Sequence, residues 1–323
     1  MKLGTVLPDQ TRKDVERRLQ RGGIDFGGFV FRLALVSCLV FALLVLLVLV
    51  ADVFDRGFGV LTDRGLDFLS APLRTRADEA GIFQSLRGTF WIGVFVVALA
   101  FPFGIGAAIY LEEYAPDNRL TRLIDVNIRN LAGVPSVVYG ILGFSIFVKA
   151  ADGFFPGSVG DHAGKTTAAA GVTLAVLVLP IVIITSAEAI RAVPREIREA
   201  SYGVGATQWD TIRTNVLPYA APGILTGTLL SLARALGEAA PLILVGAVQG
   251  RLGSRTGFFE PEQLSEQFTA MPITITDWAT KPANSGFVEN TAAAIIVLLV
   301  VVLLANAVAI LLRNRFENKR AGR

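Results

Sequence analysis

The sequence predicts an all-α membrane protein with six transmembrane helices. Hydrophobic residues make up 53% of its 323 residues and charged residues only 18%, and the mean hydropathy is +0.57. A soluble domain carries more charge and fewer apolar residues than this. The apolar residues are also concentrated in runs long enough to cross the hydrocarbon core of a bilayer, which takes about 20 residues of α-helix.

Six apolar runs have the required length. The first contains no charged residue, the last is nearly as apolar, and each of the four between them contains Gly or Pro. Such residues are tolerated in spans because neighbouring helices satisfy the backbone groups that they free. We expect Pro135, Gly140, Pro180 and Pro241 to bend their helices. The predicted spans are residues 33–51, 89–111, 130–148, 167–186, 222–247 and 291–312.

The distribution of Lys and Arg predicts the orientation of the spans. An even number of spans places both termini on one side, where segments 1–28, 112–123, 187–221 and 313–323 together contain 17 Lys and Arg. The opposite segments, 52–88, 149–166 and 248–286, contain 10. By the positive-inside rule both termini are cytoplasmic. The predicted order is a cytoplasmic segment 1–28, a first transmembrane helix 29–51, an external loop 52–84, a transmembrane domain 85–313 and a cytoplasmic tail 314–323.

Several classes of function are excluded by composition. The net charge is +3, and the basic residues cluster beside the apolar spans. Membrane topology explains that placement better than binding to nucleic acid. Cys38, in an apolar run, is the single Cys and His162, in a loop, the single His, so neither a disulfide framework nor a metal cluster is expected. The stretch AGKTT at 163–167 lacks the first glycine of an ATP-binding P-loop. We expect no ATP hydrolysis, and no enzymatic activity, in this chain.

A polar segment, residues 195–218, separates two apolar spans. Both of its halves have helical patterning, and Gly203 and Gly205 between them permit a sharp change of direction. Leu217-Pro218 is expected to end the second half. The sequence predicts a bent helical pair on the cytoplasmic surface, with an amphipathic face, including Trp209 and Ile212, suited to a partner's groove.

This segment resembles the EAA loop of ABC importer permeases, whose pattern is Glu-Ala-Ala, three residues, Gly, nine residues, Ile, any residue, Leu-Pro. Ser201 replaces the second Ala, and Asn215 occupies the position of Ile. In that family the loop docks into a cleft of the ATP-binding subunit. The resemblance therefore implies the type I ABC importer permease fold and a coupling segment at 195–218. The matching positions, with an implied role in ATPase coupling, are Glu199, Ala200, Ser201, Gly205, Leu217 and Pro218.

Residues 88–115, 131–144 and 232–247 are similar to the PstA family, the A-type permeases of phosphate-specific ABC importers. Ala240-Pro241 after the Gly-Glu pair favours the A type over the related C type. The resemblance implies a permease subunit that carries inorganic phosphate across the cytoplasmic (inner) membrane. The implied partners are a homologous C-type permease, a dimer of ATP-binding subunits, an external phosphate-binding protein and the lipid bilayer, without nucleic acid. No cofactor is implied.

Two charged residues, Arg234 and Glu238, lie inside the predicted fifth span and, being four residues apart, on one helix face. A charge at the centre of a span costs about 2.5 to 3.5 kcal/mol, so both require an explanation. One is an internal ion pair. The other is a substrate pathway, in which the guanidinium donates two hydrogen bonds to an oxyanion and the carboxylate accepts one from protonated phosphate.

Three alternative functions remain open from the sequence. The first is an ABC permease for another oxyanion, such as molybdate or sulfate. The second is a secondary transporter, which inverted halves with interrupted spans at matching positions would favour, a pattern that we do not find. The third is a membrane scaffold or sensor, in which the polar residues inside spans would be incidental.

Overall fold

The structure, a computed structural model, describes residues 26–150, 164–250, 257–260 and 264–321. These residues form helices and no strand, which confirms the all-α fold. Most of the segment 1–28, and His162, lie outside the described residues. The α-helices are α1 Phe26–Ser70, α2 Phe83–Ile109, α3 Arg119–Ala132, α4 Ser136–Gly143, α5 Thr167–Arg191, α6 Arg195–Gly203, α7 Gln208–Thr211, α8 Leu217–Gly237, α9 Ala240–Val245, α10 Met271–Ala279 and α11 Phe287–Ala321.

Five helices are long and apolar enough to cross a membrane, namely Phe26–Ser70, Phe83–Tyr114, Thr167–Arg191, Gln208–Gly237 and Phe287–Val308. The predicted third span, 130–148, instead covers the end of α3 and the whole second part of a broken pair, Arg119–Ala132 and Ser136–Val148, bent by 98°. The second part is α4 with the π-helical turn Phe144–Val148 that follows it. The break falls at Gly133-Val134-Pro135, where proline cannot donate a backbone hydrogen bond and restricts the residue before it. Counted as one bent span, this pair is the sixth.

The helix α1 is longer than predicted. The chain divides into two compact units, Met1–Val53 and Phe54–Arg323, and the described residues 26–53 of the first form an exposed apolar helix. The predicted loop over 52–84 is wrong as far as Ser70, because these residues are helical, with a break at Gly65. Within the second unit, Phe68 and Leu69 pack against α10 and α11, which explains why this polar-looking stretch is ordered as helix.

Two further corrections concern α8. Leu217-Pro218 does not end the preceding helix, because a π-helical turn, Ile212–Val216, leads directly into α8 and relaxes the backbone where Pro218 has no N–H. The predicted fifth span, 222–247, is interrupted. Helix α8 ends at Gly237, Glu238 has extended backbone (φ −79°, ψ 120°), and the short α9 follows.

Helix α5 lies at the centre of the second unit, between α2 and α8. Glycines permit the close approach: a Cβ on Gly104 of α2 would lie 2.6 Å from Val182, and one on Gly227 of α8 would lie 2.3 Å from Thr185. Small residues allow helix backbones to approach in this way within membranes. The tight packing of α2, α5 and α8 means that a force applied at one of them is transmitted to the other two.

Candidate functional site

The coupling segment, residues 195–218, consists of two helical arms joined by a turn. The first arm is α6, and the second is α7 with the π-helical turn that follows it. Between them Gly205 has a φ of +83°, a left-handed conformation that residues with a Cβ rarely adopt. The turn is closed by two backbone hydrogen bonds, from the N–H of Gly205 to Tyr202 (2.9 Å) and from the N–H of Ala206 to Ser201 (3.2 Å). The predicted bent helical pair is therefore present.

Large apolar side chains are exposed around this bend. Val204 is 85% exposed at its tip, and Tyr202 and Trp209 are also exposed. The prediction that Trp209 and Ile212 share one face is wrong, because Trp209 is exposed whereas Ile212 is fully buried beneath the second arm. Clustered exposed aromatic and apolar side chains are typical of protein contact sites. The tip of the coupling segment is thus an apolar surface available to a partner.

The six predicted coupling residues fall into three places. Glu199 and Ala200 are exposed on α6, whereas Ser201 points inward and is buried. Gly205 forms the bend itself. Leu217 and Pro218 lie at the start of α8, where the coupling segment joins the transmembrane bundle. The structure brings Ser201 and Gly205 together at the turn and leaves the other four on its outer face or at its base.

A largely buried ion pair, which the sequence did not predict, attaches the coupling segment to the bundle. Arg198 of α6 donates to Glu113, in the π-helical turn Tyr110–Tyr114 that continues α2, with Nη2 2.6 Å from Oε1. The same guanidinium donates to the carbonyls of Ile190 (3.0 Å) and Val193 (2.7 Å) at the end of α5. The Glu113 side chain is 5% exposed and that of Arg198 19%. Gln208 on the second arm donates to the Glu113 carbonyl. One cluster therefore joins both arms to α2 and α5.

A neighbouring pair, Glu112 with Arg191, provides a contrast because Arg191 is largely exposed. The only signal in the sequence was two adjacent glutamates at the end of an apolar run. Their partners are 79 and 85 residues away, and no local pattern identifies partners at that separation.

We expect Glu113→Gln to lower the thermal unfolding midpoint clearly, because it leaves the largely buried guanidinium of Arg198 without its carboxylate partner. Breaking a buried pair costs about 3 to 5 kcal/mol. Glu112→Gln is the matched control and should lower the midpoint much less, since Arg191 is 58% exposed and water can solvate its charge once the carboxylate is gone. The thermal unfolding midpoint of each purified complex measures the difference. Equal midpoints for the two variants would contradict this assignment of the Glu113–Arg198 pair.

The second set of predicted site residues, Arg234 and Glu238, lies at a helix break. Arg234 is in the last turn of α8, and its Nε lies 3.3 Å from Oε1 of Glu238. The two side chains are therefore in contact. The expectation that both belong to one helix is wrong, because Glu238 follows the end of α8. Beyond the break, α9 packs so closely on α4 that a Cβ on Gly140 would lie 2.7 Å from Pro241.

Arg234 faces away from the rest of this chain. It shares the exposed side of α8 with Thr226 and Leu230, while the opposite side packs on α5, and its side chain is 48% exposed. An apolar cavity of about 550 Å³ between α2, α8 and α11 is lined by Leu232 and Leu236 and does not include Arg234. An arginine at membrane depth faces protein or water rather than lipid. A break in a helix at that depth is likewise tolerated only where protein or water covers its backbone. The exposed side of α8 thus requires a second polar or protein surface.

Comparisons with known proteins agree with this architecture. Residues 100–321 match the family described as "Binding-protein-dependent transport system inner membrane component". The chain is 34% identical over 259 residues to the phosphate transport system permease protein PstA 1 of Mycobacterium tuberculosis H37Rv, covering 79% of this chain and 77% of that protein. It is 35% identical over 260 residues to PstA of Mycobacterium leprae, covering 78% of each.

A more distant relative and a solved structure also match. PstC of Xylella fastidiosa strain 9a5c is 28% identical over 250 residues, covering 72% of this chain and 76% of that protein. A crystal structure of a bacterial alginate ABC transporter, with an alginate-bound periplasmic protein, is 15% identical with a TM-score of 0.59, covering 91% of this chain and 95% of that one. With its apolar spans, its exposed coupling segment and this family match, the chain belongs to the multi-pass inner-membrane permease components of binding-protein-dependent ABC importers.

Proposed function

We propose that this chain is the A-type permease subunit of an ATP-driven importer of inorganic phosphate. The observation that carries the proposal is its identity of 34 and 35%, over nearly four fifths of the chain, to mycobacterial proteins named as PstA phosphate permeases. ATP is hydrolysed by a dimer of partner subunits, and an external phosphate-binding protein delivers the substrate. A homologous C-type permease forms the other half of the pathway.

In this proposal Arg234 meets the anion as it passes between the two permeases. Its exposed guanidinium at the end of α8 donates two hydrogen bonds to phosphate oxygens. Glu238 partly offsets the positive charge, so that the anion is not held too tightly, and accepts a hydrogen bond from protonated phosphate. Sulfate has no proton to donate at neutral pH. The exposure of Arg234 supports a pathway completed by a second permease, because the described part of this chain leaves that side of α8 uncovered.

The coupling segment transmits the work of ATP binding. The ATP-binding subunit docks on the apolar tip formed by Tyr202, Val204 and Trp209. When the ATPase dimer closes, it pulls on this tip, and the Glu113–Arg198 pair carries the force to α2 and α5. The two permeases then rock and open the pathway outward, and release of the ATPases returns it inward.

The proposal places both termini and the coupling segment in the cytoplasm. In a Cys38→Ala background, Gln208→Cys should not react with a membrane-impermeant maleimide added to intact cells, and should react in inside-out vesicles. The control is Asn284→Cys, at an exposed residue in segment 248–286 on the opposite side of the membrane, and it should show the reverse pattern. Labelling of Gln208→Cys from outside would contradict the orientation.

Substrate and energy source are tested together in cells that lack their own phosphate importers. The tagged chain, expressed with its neighbouring subunits, should co-purify with an ATP-binding subunit and restore uptake of radiolabelled phosphate. Excess unlabelled sulfate or molybdate should not compete. Competition by these anions would indicate a different oxyanion permease. Uptake without any ATP-binding subunit, driven by an ion gradient, would indicate a secondary transporter.

A further inference from the structure

Three polar side chains join the two arms of the coupling segment behind the bend. Ser201 lies in the last turn of α6, and Thr211 and Asn215 lie one helical turn apart on the second arm. The Ser201 and Thr211 hydroxyl oxygens are 2.9 Å apart, and Nδ2 of Asn215 donates to the Ser201 hydroxyl at 3.1 Å. Ser201 and Thr211 are buried. We call these three residues the arm junction.

The arm junction satisfies its own polar groups. The Ser201 hydroxyl accepts a hydrogen bond from the Asn215 amide and forms a second one with the Thr211 hydroxyl. Both buried hydroxyls and the amide hydrogen of Asn215 that points inward therefore have partners. This matters because a buried polar group without a partner is costly, whereas a fully connected group of hydrogen bonds favours a single geometry. The junction therefore fixes the angle between the arms, while Gly205 only permits it.

The arm junction also contains both departures from the EAA pattern. Ser201 stands at an Ala position and Asn215 at the Ile position, 14 residues later, and the two departures contact each other. Either change alone would place a polar group against an apolar one. Together they replace an apolar contact between the arms with a hydrogen bond, so the two residues act as a pair.

We propose that Ser201, Thr211 and Asn215 are positioning residues for energy coupling. They hold the arms at one angle so that Tyr202, Val204 and Trp209 present one apolar surface to the ATP-binding subunit. This rests on the proposed function, because the surface is the one on which the ATPase docks. The residues contact neither substrate nor ATP, and they act through the orientation of the tip.

The test uses the full complex reconstituted with its partners and four variants: Ser201→Ala, Asn215→Ile, the double variant, and Thr214→Ala as a control beside the junction. Ser201→Ala strands an amide hydrogen of Asn215 and the hydroxyl of Thr211. We expect the backbone amide of Ala206 to exchange with deuterium about 5 to 30 times faster in this variant. We also expect more ATP hydrolysed for each phosphate imported. Adding Asn215→Ile should reverse much of both effects, because it removes the stranded amide and restores an apolar contact.

Thr214→Ala should stay close to wild type in both measurements. The exposed Thr214 hydroxyl accepts from Nδ2 of Asn215 at 3.1 Å and donates to the carbonyl of Asp210, and both contacts lie within the second arm, so their loss removes no hydrogen bond between the arms. The proposal would be overturned if Ser201→Ala showed the same deuterium exchange at Ala206, and the same ATP hydrolysed per phosphate imported, as wild type. So would a double variant at least as impaired as Ser201→Ala, because the pairing would then be absent. Failure of the proposed function is distinguishable: the wild-type complex itself would then import no phosphate, whereas the deuterium exchange measurement would still test the junction.

Discussion

Arg234→Gln is expected to abolish phosphate uptake while the complex still assembles and the external binding protein keeps its affinity for phosphate. A neutral amide does not offset the free energy of bringing an anion out of water. Assembly must be measured in the same membranes, because Glu238, whose side chain is 19% exposed, loses its partner in this variant. Arg234→Lys should retain only part of the activity, since the lysine ammonium keeps the positive charge but lacks the planar guanidinium that donates two parallel hydrogen bonds.

A charge-swapped variant distinguishes the pathway from a purely structural pair. If Arg234 and Glu238 only stabilise the helix break, Arg234→Glu combined with Glu238→Arg should recover both assembly and uptake. In the pathway account the swap restores assembly but not uptake, because the donor no longer lies on the exposed side of α8. Uptake is normalised to assembled complex in membranes. Substantial uptake by well-assembled Arg234→Gln would remove Arg234 from the pathway.

Gly205→Val is expected to uncouple ATP hydrolysis from transport. Gly205 has a φ of +83°, and a β-branched side chain held there costs about 1 to 3 kcal/mol in backbone strain. Crowding does not contribute, because no atom lies within 4 Å of the position that a Cβ would take. The bend should therefore open or twist, so that the apolar tip no longer moves with the ATPases. ATP hydrolysis should continue while phosphate uptake falls severalfold.

Gly203 offers a matched control for this substitution. It is two residues away, is also exposed and also has open space around a Cβ, but it lacks the positive φ. Gly203→Val should therefore keep most of the coupling between hydrolysis and uptake. The measurement is the number of ATP molecules hydrolysed per phosphate imported by reconstituted complexes. Equal ratios for the two variants would show that the conformation at Gly205 is not what matters.

The apolar runs were sufficient to predict the fold because a helix that crosses the hydrocarbon core needs about 20 mostly apolar residues in a row. The runs did not show where a helix breaks. The stretch 130–148 has the length of a span, yet a length test does not register the 98° bend that Pro135 allows. The helical residues 52–70 were missed for the opposite reason, because Asp and Arg conceal the apolar side that packs on α10 and α11.

The candidate site was predictable where the pattern is local. Gly205 was identified from its place between two helical stretches, and its left-handed backbone follows from that role. The Glu113–Arg198 pair was missed because it joins residues 85 apart, and helical or strand periodicity carries no information at that distance. Ser201 and Asn215 were each noticed as departures from a pattern, but only the folded bend places them in contact.

The central claim is that this permease moves phosphate because ATP binding in partner subunits acts through the coupling segment. The most direct measurement is phosphate uptake into proteoliposomes that contain the purified complex, with the phosphate-binding protein outside and ATP sealed inside. We predict uptake that requires ATP and the binding protein, that is lost in Arg234→Gln, and that falls in Gly205→Val while hydrolysis continues. Phosphate accumulation at the wild-type rate without ATP, or in Arg234→Gln, would contradict the account.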